Sequence, residues 1–163
     1  MRIIPCLLRS LDETRRFGQI LAQSMMQIPP GTLLLYGGIG TGKTTLTRSI
    51  VEALPGGRMA EIASPSFTVC NIYCTTPQVR HFDLYRLAPG ASEEALEESF
   101  DDASVLTIVE WPERVNRRDL PKEALTCLLT RLPEEDSRSA ELSAVGSSGT
   151  RCLEAFRSLY LPA

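Results

Sequence analysis

The sequence predicts an α/β protein of three layers, in which helices flank a central sheet of mixed parallel and antiparallel strands. Two continuous apolar runs, 32–36 and 105–109, have the length and composition of strands buried on both faces of a sheet. Apolar residues at helical spacing follow the first run, after a glycine-rich loop. Paired runs at 67–83 and 123–145 predict antiparallel neighbours, and therefore a mixed sheet.

Composition indicates one domain, 1–163, which is long enough to bury a core without disulfides. The formal net charge is −3 and there is no long basic run, so tight binding of RNA by this chain alone is not predicted. The five cysteines form no C-x-x-C, and Cys70 and Cys74, in one predicted strand, would supply at most half of a metal site. Reduced thiols and the absence of a signal-peptide core or membrane-length apolar run predict a cytoplasmic protein without membrane contact.

The N-terminal half is predicted to contain an edge strand, a capped helix and a strand–loop–helix unit. Residues 1–8 are rich in Ile and Leu and predict the edge strand. Ser10, with Glu13 three residues later, forms a capping box that opens the first helix. The second helix, after the loop, is expected to end at the breakers 55–57.

The C-terminal half is predicted to contain a hairpin, a helix, a buried strand, two further strands and a final helix. The predicted bounds are 67–73 and 79–83 for the hairpin, residue 92 for the helix start, 105–109 for the buried strand, 123–132 and 140–145 for the later strands, and 150–159 for the last helix. Acidic residues in the first turn of the helix after residue 92 suit the positive end of the helix dipole.

The glycine-rich loop is the strongest functional signal. Residues 37–44 read G-G-I-G-T-G-K-T and match the G-x-x-x-x-G-K-[ST] loop of nucleotide triphosphatases. The glycines let successive backbone N–H groups point at phosphate oxygens, next to a helix N-terminus. Lys43 is expected to reach the β- and γ-phosphates, and Thr44 is expected to offer its hydroxyl to Mg²⁺.

Two carboxylates stand at the ends of predicted strands, where they would lie near this loop. Glu110 follows a buried run, which delivers an acid to the carboxyl edge of the sheet, and we favour a metal or water role over an ordinary surface acid. Asp83 lies at a strand-to-loop corner, and the residues alone leave its role open. His81 is interpreted as a structural strand residue. Trp111, the single tryptophan, belongs either to the core or to a partner or substrate surface.

Beyond the loop, several motifs resemble the TsaE (YjeE) family, the ATPase subunit of bacterial tRNA threonylcarbamoyladenosine modification. The family's H-F-D-L-Y-R-L is identical to residues 81–87, and its V-E-W-P is identical to residues 109–112. Its S-P-T-[FY] element resembles residues 64–67. Its N-terminal segment, in which a polar helix cap is followed by Thr and then Gly, resembles residues 10–18. The resemblance covers nearly the whole chain. Three departures are Gly38 for a usual Asp, Thr41 for a usual Ala and Ser66 for a usual Thr.

The resemblance implies a P-loop fold that binds ATP and Mg²⁺ and hydrolyses ATP weakly. The residues that it implies in nucleotide binding are Thr14, Gly38, Ile39, Gly40, Thr41, Gly42, Lys43, Thr44, Thr45, Ser66 and Arg138. Those implied in catalysis are Lys43, Asp83 and Glu110, with Thr44, Asp83 and Glu110 as metal ligands. The 64–67 element would act as a switch that senses the γ-phosphate. The implied partners are TsaD and TsaB, with tRNA reached only through the complex.

Two other functions remain open at the level of the sequence. A small-molecule kinase would also use this loop, although no compact arginine-rich lid is evident. A nucleotide-gated adaptor would bind ATP without hydrolysing it. A GTPase is disfavoured, because the nearest match to its N-K-x-D motif is N-R-R-D at 116–119.

Overall fold

The computed structural model describes residues 3–28, 31–62, 68–90 and 93–161, which form a seven-stranded sheet and four α-helices. The strands are β1 (Ile4–Leu8), β2 (Gly31–Tyr36), β3 (Cys70–Tyr73), β4 (Gln78–Asp83), β5 (Val105–Glu110), β6 (Ala124–Arg131) and β7 (Arg138–Val145). The helices are α1 (Leu11–Gln27), α2 (Lys43–Ala53), α3 (Glu94–Asp101) and α4 (Gly146–Tyr160). Among these helices, none combines the length and the apolar character needed to cross a bilayer.

The sheet is mixed, as predicted, with the strand order β1-β7-β6-β2-β5-β4-β3. Strand β2 pairs in parallel with β5 and β6, and β4 pairs in parallel with β5. The predicted hairpin β3–β4 and the predicted pair β6–β7 are antiparallel, and β1 is an edge strand on β7. Leu35 of β2 and Asp83 of β4 both lie opposite Glu110 of β5. The central strands therefore end together at one edge of the sheet.

Helices cover both faces of the sheet, which confirms the predicted three layers. The larger core lies between the sheet and α1, α2 and α4, and it includes Phe17, Ile50 and Phe156. The smaller core lies on the opposite face, where Leu96 of α3 packs with Phe82 of β4. The all-buried pattern of β5 is explained by this sandwich, because its side chains meet apolar neighbours on both faces.

Helix α1 begins at the predicted cap and packs closely on α2. The Ser10 hydroxyl accepts the backbone N–H of Glu13 at 3.1 Å, and the Glu13 carboxylate accepts the backbone N–H of Arg9 at 2.7 Å. A Cβ at Gly18 would lie 2.5 Å from the Cβ of Ser49, so the two helices approach each other at a glycine.

Helix α4 begins at Gly146, four residues before the predicted start at 150, and the physical reason is a cap from Glu123, which lies directly before β6. The Glu123 carboxylate accepts the backbone N–H and the hydroxyl of Ser148, both at 2.7 Å, and the N–H of Gly149 at 3.4 Å. These bonds satisfy donors that the first helical turn cannot pair internally. They also lower the pKa of Glu123 from its ordinary value of 4.5 to about 2, chiefly through the Ser148 side chain.

The hairpin corrects one detail of the cysteine prediction. Strand β3 ends at Tyr73, so Cys74 lies just beyond the strand and is exposed, instead of sharing a strand face with Cys70. The chain turns after the strand because Thr75 donates its backbone N–H to the Tyr73 carbonyl at 2.8 Å. All five cysteines are free thiols in the structure.

Candidate nucleotide-binding site

The glycine-rich loop joins β2 to α2 at the carboxyl edge of the sheet. Gly40 and Gly42 adopt positive φ angles of 75° and 99°, which residues with a Cβ rarely adopt. The Lys43 ammonium group donates to the carbonyl oxygens of Gly37 at 2.6 Å and Gly38 at 2.8 Å. The backbone of the loop thus surrounds the Lys43 side chain, and the positive φ angles of Gly40 and Gly42 allow the chain to turn in this way.

Lys43 is buried, with 5% of its surface exposed, and its Nζ lies 4.0 Å from the centre of the Trp111 ring. Burial lowers the pKa of Lys43, while the negative charges of Glu110, Glu113 and Asp83 oppose that shift. An ammonium group over an indole face is stabilised by the ring quadrupole. The cation is therefore held between carbonyl oxygens, an aromatic ring and several carboxylates.

Thr44, Glu110 and His81 form one hydrogen-bonded group behind the loop. The Thr44 hydroxyl lies 3.1 Å from Oε1 and 3.3 Å from Oε2 of Glu110, and it donates to this carboxylate. His81 Nε2 lies 2.9 Å from the same Oε1, and both His81 and Glu110 are buried. Parallel pairing of β4 and β5 positions these two side chains, which come from strands that are separate in the sequence.

Asp83 lies beside Glu110 at the end of β4 and is 7% exposed. Its Oδ1 accepts the backbone N–H of Tyr85 at 3.0 Å, which turns the chain away from the sheet. The Tyr85 ring lies 4.9 Å from the Trp111 ring. Trp111 has a φ of 62°, an uncommon value for a bulky residue that places its ring over the loop.

A cleft of about 370 Å³ opens between the loop and the strand ends. Eight of the predicted site residues line it, together with Tyr85 and Trp111; the eight are Ile39, Gly40, Gly42, Lys43, Thr44, Thr45, Asp83 and Glu110. Gly38 contributes its carbonyl oxygen, which accepts from both Lys43 and the Thr41 hydroxyl, the latter at 2.9 Å. The residues that the loop motif and the strand-end acids indicated are therefore neighbours in space.

A second, polar cavity of about 190 Å³ lies on the other side of the loop and contains Arg138. Gly40, Thr41 and Arg138 are among its lining residues. The Arg138 guanidinium packs so closely on Gly42 that any Cβ at this position would collide with it. Arg138 thus lies against the loop, although it does not line the cleft that contains Glu110.

Two of the remaining predicted nucleotide-binding residues, Thr14 and Ser66, are not among the residues that the structure places around the loop. Thr14 is fully buried in α1, where its hydroxyl donates to the Ser10 carbonyl at 3.0 Å. Ser66 and the rest of the 64–67 element lie outside the described residues.

The oxygen atoms at the cleft fit a magnesium ion that nucleotide phosphates help to hold. Mg²⁺ prefers hydroxyl, carboxylate and phosphate oxygens, and it commonly takes only one or two carboxylates from the protein. Thr44, Glu110 and Asp83 supply this donor set. No group of three or more His, Cys, Asp or Glu side chains in the described part of the chain is arranged to hold a metal by itself.

A larger depression, of about 810 Å³, lies elsewhere, between α1, the C-terminal half of α2 and the following turn. Its lining residues include Gln19, Glu52 and Met59. It contains none of the loop residues that a phosphate requires, so the smaller cleft is the better candidate site.

Tyr85 and the contact made by His81 were missed by the sequence reasoning, although both lie near predicted residues. His81 and Asp83 are two apart on one strand and therefore share a face, which was a signal for His81. Tyr85 follows Asp83 by two residues and is exposed, with an aromatic ring that reaches Trp111. No local pattern in the sequence indicated the contact between the rings of Tyr85 and Trp111.

Comparison with known proteins gives one consistent family. A family model described as threonylcarbamoyl adenosine biosynthesis protein TsaE matches residues 8–140. The tRNA threonylcarbamoyladenosine biosynthesis protein TsaE of Rickettsia felis is 36% identical over 66% of this chain, a match that spans 61% of that protein. The protein of the same name from Rickettsia conorii is 31% identical, covering 83% of this chain and 82% of the relative. The crystal structure of Bacillus subtilis YdiB superposes with a TM-score of 0.77 at 26% identity, covering 98% of this chain and 97% of that one.

Proposed function

Because the chain belongs to the TsaE family, which acts in threonylcarbamoyladenosine modification of tRNA, we propose that it is an ATP-binding and ATP-hydrolysing subunit of that machinery. The whole chain, 1–163, would form a single ATPase domain in the cytoplasm. Its partners would be TsaD and TsaB, and tRNA would meet it only through the complex. A net charge of −3 supports this division of labour, because it provides little attraction for RNA.

The contact between Thr44 and Glu110 is the observation that carries the proposal. It joins the hydroxyl of the loop motif to an acid at the end of β5, beside the buried ammonium group of Lys43. Phosphoryl-transfer sites of this class combine a loop lysine, a loop hydroxyl and a strand-end acid around phosphates and Mg²⁺. A glycine-rich turn with a purely structural role would not need all three together.

Each residue has a separate task in the proposed reaction. The loop amides and the N-terminus of α2 hold the phosphates, and Lys43 exchanges the carbonyls of Gly37 and Gly38 for phosphate oxygens. Thr44, Glu110 and Asp83 would hold the metal and orient the attacking water. Mg²⁺, when bound, offsets negative charge on the phosphates. These three side chains and Lys43 line one cleft, and the 64–67 element of the same chain, which lies outside the described residues, would add the sensor of the γ-phosphate.

Partner dependence is part of the proposal. The ATPase would be weak alone, and turnover would reset a complex in which another subunit performs the chemistry on tRNA. We expect steady-state hydrolysis of ATP to rise when purified TsaB and TsaD are added together. Phosphate transfer to a metabolite instead of water would identify a kinase. ATP binding without single-turnover hydrolysis in the assembled complex would identify an adaptor.

Glu110→Gln tests the proposed catalytic acid while preserving the size of the side chain. The amide oxygen can still accept from His81, so ATP binding measured without Mg²⁺ should persist, but single-turnover hydrolysis in the TsaB–TsaD complex should fall by about 100-fold or more. Glu141→Gln, at an exposed position on β7, is the matched control and should hydrolyse ATP at the parental rate. Parental hydrolysis by the Glu110 variant would remove this residue from the mechanism.

A further inference from the structure

We propose that His81 is a positioning residue, whose Nε2–H holds the carboxylate of Glu110 in the orientation that binds Mg²⁺. The inference rests on the proposed function for its ligand, ATP with Mg²⁺. His81 touches neither the loop nor the cleft directly, since the residues that line the cleft include Glu110 but not His81. Its effect on the site would pass through one hydrogen bond.

The geometry makes Oε1 of Glu110 the anchored atom. His81 Nε2 is 2.9 Å from Oε1, and His81 is fully buried between β3 and β5, with the Tyr73 ring stacked on its imidazole at 6.3 Å. A carboxylate can only accept, so the hydrogen on Nε2 must belong to the histidine. The His81 bond does not involve Thr44, so it would fix the carboxylate through Oε1 and leave Oε2 available as a metal ligand.

The other nitrogen of the ring supports a functional reason for a histidine at this position. Nδ1 is buried and has no hydrogen-bond partner among the described residues. A buried polar atom without a partner disfavours the folded state, and an apolar side chain of similar size would avoid that penalty. The bond from Nε2 to Glu110 is the compensating interaction that the structure offers. Partners of this kind behind metal ligands commonly change metal affinity by 10–100-fold.

The first test observes the His81 imidazole directly by NMR and needs no ligand. The chain contains one histidine, so the imidazole signals in a ¹⁵N-labelled sample belong to His81 without further assignment. We expect Nε2 to carry a hydrogen, and we expect Glu110→Ala to shift the Nε2 resonance. An unprotonated Nε2 in the folded parent protein would overturn the proposal, because this atom would then face the carboxylate as a second acceptor.

The second test compares two amide variants by the effect of Mg²⁺ on ATP binding. In His81→Gln, the side-chain amide reaches the place of Nε2; in His81→Asn, it reaches only the place of Nδ1. Calorimetry would give the dissociation constant of ATP with Mg²⁺ and with EDTA. We expect the gain in ATP affinity that Mg²⁺ provides to be about 10–100-fold smaller in His81→Asn than in the parent. The dissociation constant of ATP in EDTA should be unchanged. His81→Gln should recover most of that loss.

Val79→Ala is the matched control, because Val79 lies two residues earlier on the same face of β4 and is also fully buried. It should lower stability and leave the effect of Mg²⁺ at the parental level. Equal behaviour of the Gln and Asn variants, or the same loss in the Val79 variant, would overturn the positioning role. A parent protein that binds no ATP would overturn the proposed function, and this inference with it. If the parent protein binds ATP and only the His81 variants behave otherwise than expected, the inference alone fails.

Discussion

At the residue scale, Lys43 combines two sets of contacts in one buried side chain. Its ammonium group donates to the carbonyls of Gly37 and Gly38 and lies under Trp111. These contacts give the buried charge hydrogen-bond acceptors and an aromatic face, which offset the cost of removing it from water.

Lys43→Ala removes this cation from the proposed phosphate site. A hydrogen bond to a charged group contributes about 1.5–3 kcal/mol, so ATP should bind roughly 10–100-fold more weakly, as measured by calorimetry. Lys122, the only other lysine, is exposed and lies outside the cleft, so Lys122→Ala should bind ATP like the parent. Equal affinity in the Lys43 variant would contradict the assigned role.

At the element scale, two helices are positioned by partners that lie far away in the sequence. Helix α4 is capped by Glu123, the residue before β6, and α1 approaches α2 through Gly18. The first contact holds α4 on the sheet, and the second brings α1 against the helix that begins at the phosphate loop. The second contact supports the site indirectly, because α2 carries Lys43 and Thr44 in its first turn.

Gly18→Ala should destabilise the protein in spite of the better helix propensity of alanine. The added methyl group would lie 2.5 Å from Ser49 Cβ and 3.2 Å from the Ser49 carbonyl carbon, so backbone must move. Overpacking of this kind costs about 1–3 kcal/mol, whereas alanine in place of glycine recovers about 1 kcal/mol at most. Urea unfolding should therefore show a net loss. Gly38→Ala, where nothing lies within 4 Å of the new Cβ, should leave the free energy of unfolding nearly unchanged.

Glu123 should make part of the stability dependent on acid pH. Its folded-state pKa of about 2 lies below the ordinary 4.5, because the ionised carboxylate accepts bonds from Ser148. The contribution is therefore present above pH 4.5 and is lost as the pH falls toward 2. Urea titrations across this window should show a steeper loss for the parent than for Glu123→Gln. Glu134→Gln, at an exposed position in the β6–β7 turn, should follow the parent curve.

At the scale of the whole molecule, the candidate site is assembled from three parts of the chain that meet at one sheet edge. The loop follows β2, Asp83 ends β4 and Glu110 ends β5. Two cores on opposite faces of the sheet hold these strands in register. Ligand binding at such a junction should stabilise the folded state as a unit.

Thermal unfolding should report this coupling. At ATP and Mg²⁺ concentrations 100 times above the dissociation constant, binding adds about 2.7 kcal/mol to the free energy of unfolding. For a chain of this length the Tm should rise by roughly 5–10 °C. Adenosine without phosphates should give little change, because the proposed contacts are to the phosphates. An equal shift with adenosine would argue against a site centred on the loop.

Much of the fold and most of the residues that line the candidate cleft were predictable because their signals are local. Continuous apolar runs indicated β2 and β5, the loop motif indicated Lys43 and Thr44, and an acid directly after a buried run indicated Glu110. The order of the strands was less accessible, because pairing depends on contacts between segments distant in the chain. The capping box predicted the start of α1, but the cap of α4 comes from a residue 25 positions away from Ser148.

The sequence by itself therefore determined the fold class, the glycine-rich loop and the acids at the strand ends, since periodicity and motif spacing are properties of neighbouring residues. Only the tertiary structure decided that Thr44 meets Glu110 across 66 positions, that His81 holds the same carboxylate, and that Trp111 covers Lys43. These contacts arise where strands lie side by side in the sheet. Distances of that kind are set by strand register and by packing on both faces, which no local pattern of residues encodes.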